Sequence, residues 1–188
     1  MKRVQLIGLT LGALALAGVT SACGADKAAG TAQPTSSPSS SAEKAEVKVP
    51  DAVKVPDGNK LVGEYEASGV QAYTCAAGTW KLLEPAATLT DQDAKPVILH
   101  SRGPVWVSTV DGSAVEAAAV DGAKVDRPNA IPELLLKAKS LRGEGLLGGV
   151  TYVQRLDTKG GVAPTGTCRP DIQVSVPYSA LYTFYASA

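Results

Sequence analysis

The chain has 188 residues, 18 basic and 18 acidic side chains, a single histidine and a 45% hydrophobic share. A nucleic-acid partner calls for a basic excess that is absent here, and no Lys/Arg cluster reads as a lipid-headgroup patch. With one Phe and one Met, the core must rest on Val, Leu, Ile, Ala and Tyr.

The amino terminus comes first in the chain and carries the plainest signal. Lys2 and Arg3 precede an apolar run of 16 residues, Val4 to Val19, broken by Gly8, Gly12 and Gly18. A bilayer-spanning helix needs about 20 residues. The run ends in Val19-Thr20-Ser21-Ala22-Cys23, small residues before a cysteine as at a secretory cleavage site. This resembles the lipobox of bacterial lipoproteins, although Thr20 stands where Leu is usual. The resemblance implies cleavage after Ala22 and a thioether-linked diacylglycerol on Cys23. It places the protein on the outer face of the cell membrane, its membrane partner reached through that lipid; plain secretion is the alternative. Cleavage removes Lys2 and Arg3 and no acid, leaving 16 basic against 18 acidic residues, a net charge of −2.

The expected organisation is a signal peptide over 1–22, a lipidated Cys23 with a Ser/Pro/Ala-rich tether over 23–46, and one β-rich domain over 47–188. The tether has almost no large apolar group, so it cannot offset its ordering entropy. The three cysteines are an odd number. If Cys23 carries lipid, Cys75 and Cys168 remain as a pair, and an extracytoplasmic setting favours a disulfide between them. A metal site with His100 and two free thiols are the rival readings; no spacing matches a metal motif, so no metal or cofactor is expected.

Val47-Lys48-Val49-Pro50-Asp51-Ala52 is repeated as Val53-Lys54-Val55-Pro56-Asp57-Gly58. Each Pro holds the preceding Val extended, which predicts a stiff lead-in ending in an Asp57-Gly58 turn. Gly69 to Cys75 alternates in period two, and Thr79 to Leu83 and Pro96 to His100 are further strand candidates. Val105 to Val110, Asp111-Gly112 and Ser113 to Val120 predict a hairpin with a two-residue turn, and Asp121-Gly122 repeats the cue. Ile131 to Lys139 has Pro132 and Glu133 in a first turn and Lys137 and Lys139 near its end, which predicts a short helix. Strands resume at Gly149 to Leu156, with a turn at Asp157 to Gly161. The last strand spans Ile172 to Val176 and Tyr178 to Tyr185, where Pro177 implies an edge or a bulge. Tyr178, Ala180, Tyr182 and Phe184 share one face of it. The fold class predicted is mainly β, a single antiparallel β-sandwich or partly open β-barrel with one short helix.

Gly-Val-Gln-Ala-Tyr-Thr-Cys (69–75), Trp80, Ala-Thr-Leu-Thr-Asp (87–91), His100 and Gly-Pro-Val-Trp (103–106) form an ordered set. It continues with Asp-Gly-Ser (111–113), Ile-Pro-Glu-Leu-Leu-Leu (131–136), Gly-Val-Thr-Tyr-Val-Gln-Arg (149–155), Gly-Gly-Val-Ala-Pro (160–164), Cys168 and Val-Pro-Tyr (176–178). The set resembles a family of secreted bacterial and fungal proteins known only as a domain of unknown function. The resemblance covers Pro56 to Tyr185 and implies one domain, with no catalytic or binding residue to transfer.

His100 is the candidate general base of a hydrolase-like enzyme, for which it needs a carboxylate from Asp91, Asp93 or Asp111. No nucleophile elbow or zinc helix is present, and Gly145-Leu146-Leu147-Gly148-Gly149 lacks the Lys and Ser/Thr of a phosphate loop. Trp106, Trp80 and Tyr73 are candidates for an aromatic platform under a sugar ring, and Arg155, Gln154 and Tyr152 for a polar cluster on a sheet edge. The preferred reading is a non-catalytic, surface-anchored binding module for a small molecule, glycan or protein partner. Its candidate ligand-binding residues are Gln71, Tyr73, His100, Trp106 and Arg155, and it calls for a concave patch exposing at least two of them. A structural or partner-interaction protein of the envelope, joined through an exposed apolar patch or an unpaired edge strand such as Tyr178 to Tyr185, is the third reading.

Overall fold

The computed structural model describes residues 47–188. The expected signal peptide, the lipidation site at Cys23 and the tether lie outside the described residues. Eight antiparallel strands follow one another around a closed ring: β1 (Asn59–Ala76), β2 (Thr79–Thr90), β3 (Pro96–Ser101), β4 (Val105–Ser108), β5 (Ala114–Arg127), β6 (Ala130–Arg142), β7 (Val150–Gly160) and β8 (Gln173–Ser187). β1 pairs with β8 from Asn59↔Ser187 to Thr74↔Gln173, so the ring closes and none of the eight strands of the described residues is left as an edge. The expected mainly β class holds. The open-edge form of the structural reading does not, because β8 is also paired along β7.

The interior is built from the alternation of each strand. Tyr65 and Ala67 of β1, Leu89 of β2, Ile98 of β3, Trp106 of β4, Val153 of β7 and Phe184 of β8 belong to one buried cluster. The tyrosines and Phe184 on the shared face of β8 all enter it. Around one level of the ring the side chains change size. His100 opposes Ala87 and Trp106, Ala87 opposes Gly69, and Gly69 opposes Tyr178. A Cβ at Gly69 would sit 2.2 Å from the Ala86 carbonyl, so only glycine lets β1 and β2 approach there. These small residues on β1 and β2 leave room for the large rings on β3, β4 and β8, as the taper of a small barrel requires.

A second core lies outside the ring. Val53, Ala123, Leu135, Leu156 and Leu181 are buried together, with Val47, Val49 and Val55 against them. The valines of the lead-in repeat therefore cover the outer wall of β5 to β8, helped by one 3-10 turn at Asp51–Val53. Fully burying Val53 stabilises this contact by about 2 kcal/mol. Gln154 Nε2 donates to the Val53 carbonyl (2.6 Å), and Thr183 Oγ1 donates to Gln154 Oε1 (2.8 Å). The Asp57-Gly58 turn is present, with Gly58 at φ +81°.

Three local expectations are corrected. The short helix predicted over Ile131 to Lys139 is strand β6. Leu134, Leu136 and Ala138 face the interior while Leu135 is held in the outer core, so burial on both faces produces the continuous apolar run. Pro132 is tolerated where the pairing with β7 shifts register. Asp121-Gly122 does not reverse the chain. Residues 120–123 are looped out between the pairs Ala119↔Leu136 and Lys124↔Leu134, and Ala123 enters the outer core. Asp157 to Gly161 is likewise mostly strand, since β7 runs to Gly160 past a register shift.

The β4–β5 hairpin is present, but its connection spans residues 109–113 instead of two. Asp111 accepts from the Ser113 hydroxyl (2.6 Å), the Leu146 N–H (2.8 Å) and the Ser113 N–H (2.9 Å), and these bonds hold its carboxyl well below the usual range. Gly145, at φ +111°, is needed because a Cβ would lie 2.3 Å from that carboxylate. The loop so fixed drives Leu147 fully into the barrel interior. The glycine-rich segment thus serves as an apolar plug.

Pro177 sits within β8, and its carbonyl accepts from the Gly161 N–H (2.8 Å) just beyond the end of β7. In an antiparallel ladder the N–H and C=O of one residue point to the same neighbour, so the missing N–H faces a region where β7 offers no partner. Cys75, at the end of β1, is bonded to Cys168 across 93 residues, which bears out the expected pairing and leaves neither sulfur free for a metal.

Candidate functional site

One interior end of the barrel is polar, and it gathers the five residues singled out from the sequence. His100 on β3 and Trp106 on β4 are directly opposed and stacked, with ring centroids 4.3 Å apart and planes 5° apart. Tyr182 of β8 meets both edge-on, at 5.3 Å and 5.6 Å. Arg155 of β7 opposes Tyr182 across the β7–β8 ladder and Leu134 across β6, which puts it on the interior face. Its Nε and Nη2 both donate to the Pro132 carbonyl, at 3.0 Å and 2.9 Å. The guanidinium also meets the Tyr182 hydroxyl, which meets that of Tyr178 in turn, and its charge acts on His100 and Tyr73 as well. Tyr73 donates its hydroxyl to the Gly161 carbonyl (2.6 Å), and Gly161 lies against Tyr178 and Gln71. The segment after β7, tied to β1 by the disulfide, closes this end.

The electrostatics are those of neutral rings around one fixed cation. Burial pushes the His100 imidazole down to about 4, against the Val105 carbonyl that Nδ1 meets at 3.0 Å and with help from Arg155. Burial also raises the phenols of Tyr73, Tyr178 and Tyr182. Two buried polar atoms, Gln71 Nε2 and Trp106 Nε1, have no hydrogen-bond partner among the described residues. Orphaned groups of this kind are uncommon in a folded interior, because each costs about 1–3 kcal/mol.

Several sequence expectations change in detail. Trp106 is 1% exposed and Gln71 2%, so neither forms an exposed sugar platform. Tyr73 and His100 are buried too, and Arg155 is only half-buried; the exposed concave patch expected for binding is replaced by an interior cluster. Trp80 pairs with Cys75 at the strand end and makes no ring contact with Trp106 or Tyr73 among the described residues. Gln154 faces the outer core while Arg155 faces inward, so the edge cluster of Arg155, Gln154 and Tyr152 does not form; neighbours in a strand point to opposite sides. Asp91 binds its own turn and Asp111 the plug loop; neither meets His100, and Asp93 pairs with Lys95. Tyr178 and Tyr182 were not among the candidate residues. Their signal is the face of the last strand that they share with Ala180 and Phe184.

The surface carries grooves, one of which reaches the cluster at His100. One of about 610 Å³ is lined by Glu64, Glu66, Thr90 and Asp91, and one of about 480 Å³ passes over Gly69, Ala87 and His100. Among the described residues no group of acids, His and Cys could hold a metal ion.

A family model described as Protein of unknown function (DUF3455) matches residues 56–186. The match spans the barrel and starts after the valines that cover its outer wall. No curated protein and no solved structure matches the chain.

Proposed function

The chain belongs to the family described as Protein of unknown function (DUF3455), and from that premise we propose a non-catalytic binding module held at the outer face of the cell membrane by a lipid on Cys23. Its ligand is a small molecule that enters the polar end of the barrel. The observation that carries this reading is the pair of unpartnered buried donors, Gln71 Nε2 and Trp106 Nε1, in the same interior cluster as Arg155 and the Tyr178 and Tyr182 hydroxyls. A core selected for stability alone would place apolar or mutually bonded groups there. The hydrolase reading has less support: His100 is held neutral by burial, its Nδ1 is engaged by a backbone carbonyl, and no carboxylate meets it.

Two measurements test the proposal. Mass spectrometry of the chain from a membrane fraction should find Cys23 as the first residue, carrying diacylglycerol; a chain that keeps Met1 rejects the anchor. Thermal unfolding should be raised by at least one member of a panel of methyl glucoside, benzamide, benzoate and octanoate, since a ligand that binds only the folded state stabilises it. An unchanged melting temperature with all four at millimolar concentration rejects the binding module.

A further inference from the structure

We propose that the polar end of the barrel recognises a carboxylate on a small, partly apolar ligand, with Arg155 as the counter-charge. This deepens the binding reading and rests on it. Arg155 faces the interior, and no carboxylate pairs with it among the described residues. A guanidinium offers five N–H groups; Arg155 directs Nε and Nη2 to the Pro132 carbonyl and meets the Tyr182 hydroxyl, and all of these partners are neutral. A half-buried cation held without an anion is costly unless something else neutralises it.

The orphaned atoms point to the same chemistry. The Trp106 indole nitrogen can only donate and the Gln71 amide nitrogen donates too, while the paired Tyr178 and Tyr182 hydroxyls beside Arg155 carry hydrogens that can turn toward an anion. A set of donors around one guanidinium matches the four lone-pair sites of a carboxylate, and charge-assisted bonds of this kind are the strong ones. A sugar would need acceptors in return for its own hydroxyl groups. A doubly charged phosphate would leave a net negative charge buried, because Arg155 is the single fixed charge in the cluster. The stacked His100 and Trp106 rings, with Tyr182 edge-on to both, are the apolar surface beside these donors that the ligand's body would meet.

The test is calorimetric titration of the full chain in detergent micelles at pH 7 with benzoate and with benzamide, its uncharged isostere. Benzoate should bind at least tenfold more tightly, and Arg155→Met should erase that preference while Arg155→Lys retains part of it. Should Arg155→Met fail to fold, the wild-type indole N–H resonance of Trp106 gives a second reading: it should move with benzoate and saturate in step with the heat. Benzamide or methyl glucoside binding as well as benzoate does would overturn the carboxylate assignment and leave the binding module standing. If none of the three binds, the donors are met by solvent alone, and both proposals fall.

Discussion

Replacing Cys75 and Cys168 together by alanine should lower the free energy of unfolding by about 4–5 kcal/mol. The bond joins residues 93 apart and so encloses β2–β7, leaving nearly all of β1, the whole of β8 and the lead-in outside the loop. Cutting it restores the freedom of that whole length to the unfolded chain, and the chain-entropy cost of closing a loop grows with its logarithm. In a chain whose ring closes by pairing β1 with β8, the same bond brings the closing strands' neighbourhoods together before they pair. Local contacts add to the effect. The Cys75 N–H donates to the Ile172 carbonyl (2.9 Å) and the Cys168 N–H to Gly78 (3.4 Å), so the segment covering the polar end is pinned there. Urea unfolding of the double variant against the oxidised wild type measures the loss. A melting temperature lower by about 10–15 °C is the expected thermal counterpart. A loss under about 1 kcal/mol would mean that the strands already restrict the unfolded chain as much as the bond does.

Much of this fold could be read from alternation and parity. Period-two segments located parts of β1, β2, β3, β7 and β8, and an odd count of cysteines left Cys75 and Cys168 as partners once Cys23 was set aside. The failures share a cause: tertiary burial on the face that ought to meet solvent. Leu135 lies in an outer core that exists only because Val47, Val49, Val53 and Val55 fold back over it, so β6 lost its alternation and resembled a helix. Ala123 draws the residues around Asp121-Gly122 into the same core, converting a turn signal into a bulge. The site was visible by residue type and invisible by position. Gln71, Tyr73, His100, Trp106 and Arg155 do converge, but closure of the ring, which no local pattern encodes, is what turned them inward. Tyr178 and Tyr182 completed the set from a face whose period was plain and whose hydroxyl groups, taken singly, looked like ordinary core.

Acidification should cost this protein about 3 kcal/mol of stability between pH 6.5 and pH 4 through His100 alone. In the unfolded chain the imidazole takes up its proton near 6.5, whereas the barrel holds it neutral down to about 4. Between those values the unfolded state binds a proton that the folded state refuses. Stability is therefore full above about pH 6.5 and falls as the pH drops toward 4, below which this contribution no longer changes. Burial is the main cause, and Arg155 on β7 adds to it, while the Val105 carbonyl beside Nδ1 opposes both; the facing Trp106 and Tyr182 rings are neutral throughout. Asp111 works in the same direction at lower pH, since its carboxyl is held below the usual range and its bonds to Ser113 and Leu146 are lost only on stronger acidification. The two are separable, because a His100→Asn variant, whose amide can still donate to Val105, should lose the slope between pH 6.5 and 4 and keep the one below it. Because the chain has one histidine, its imidazole C–H resonances need no assignment by mutation. A titration midpoint below 5 for that ring is expected. A midpoint near 6.5 would mean that water reaches His100 freely, and an interior that wet would also bond the orphaned Gln71 and Trp106 donors and remove the observation on which the binding module rests.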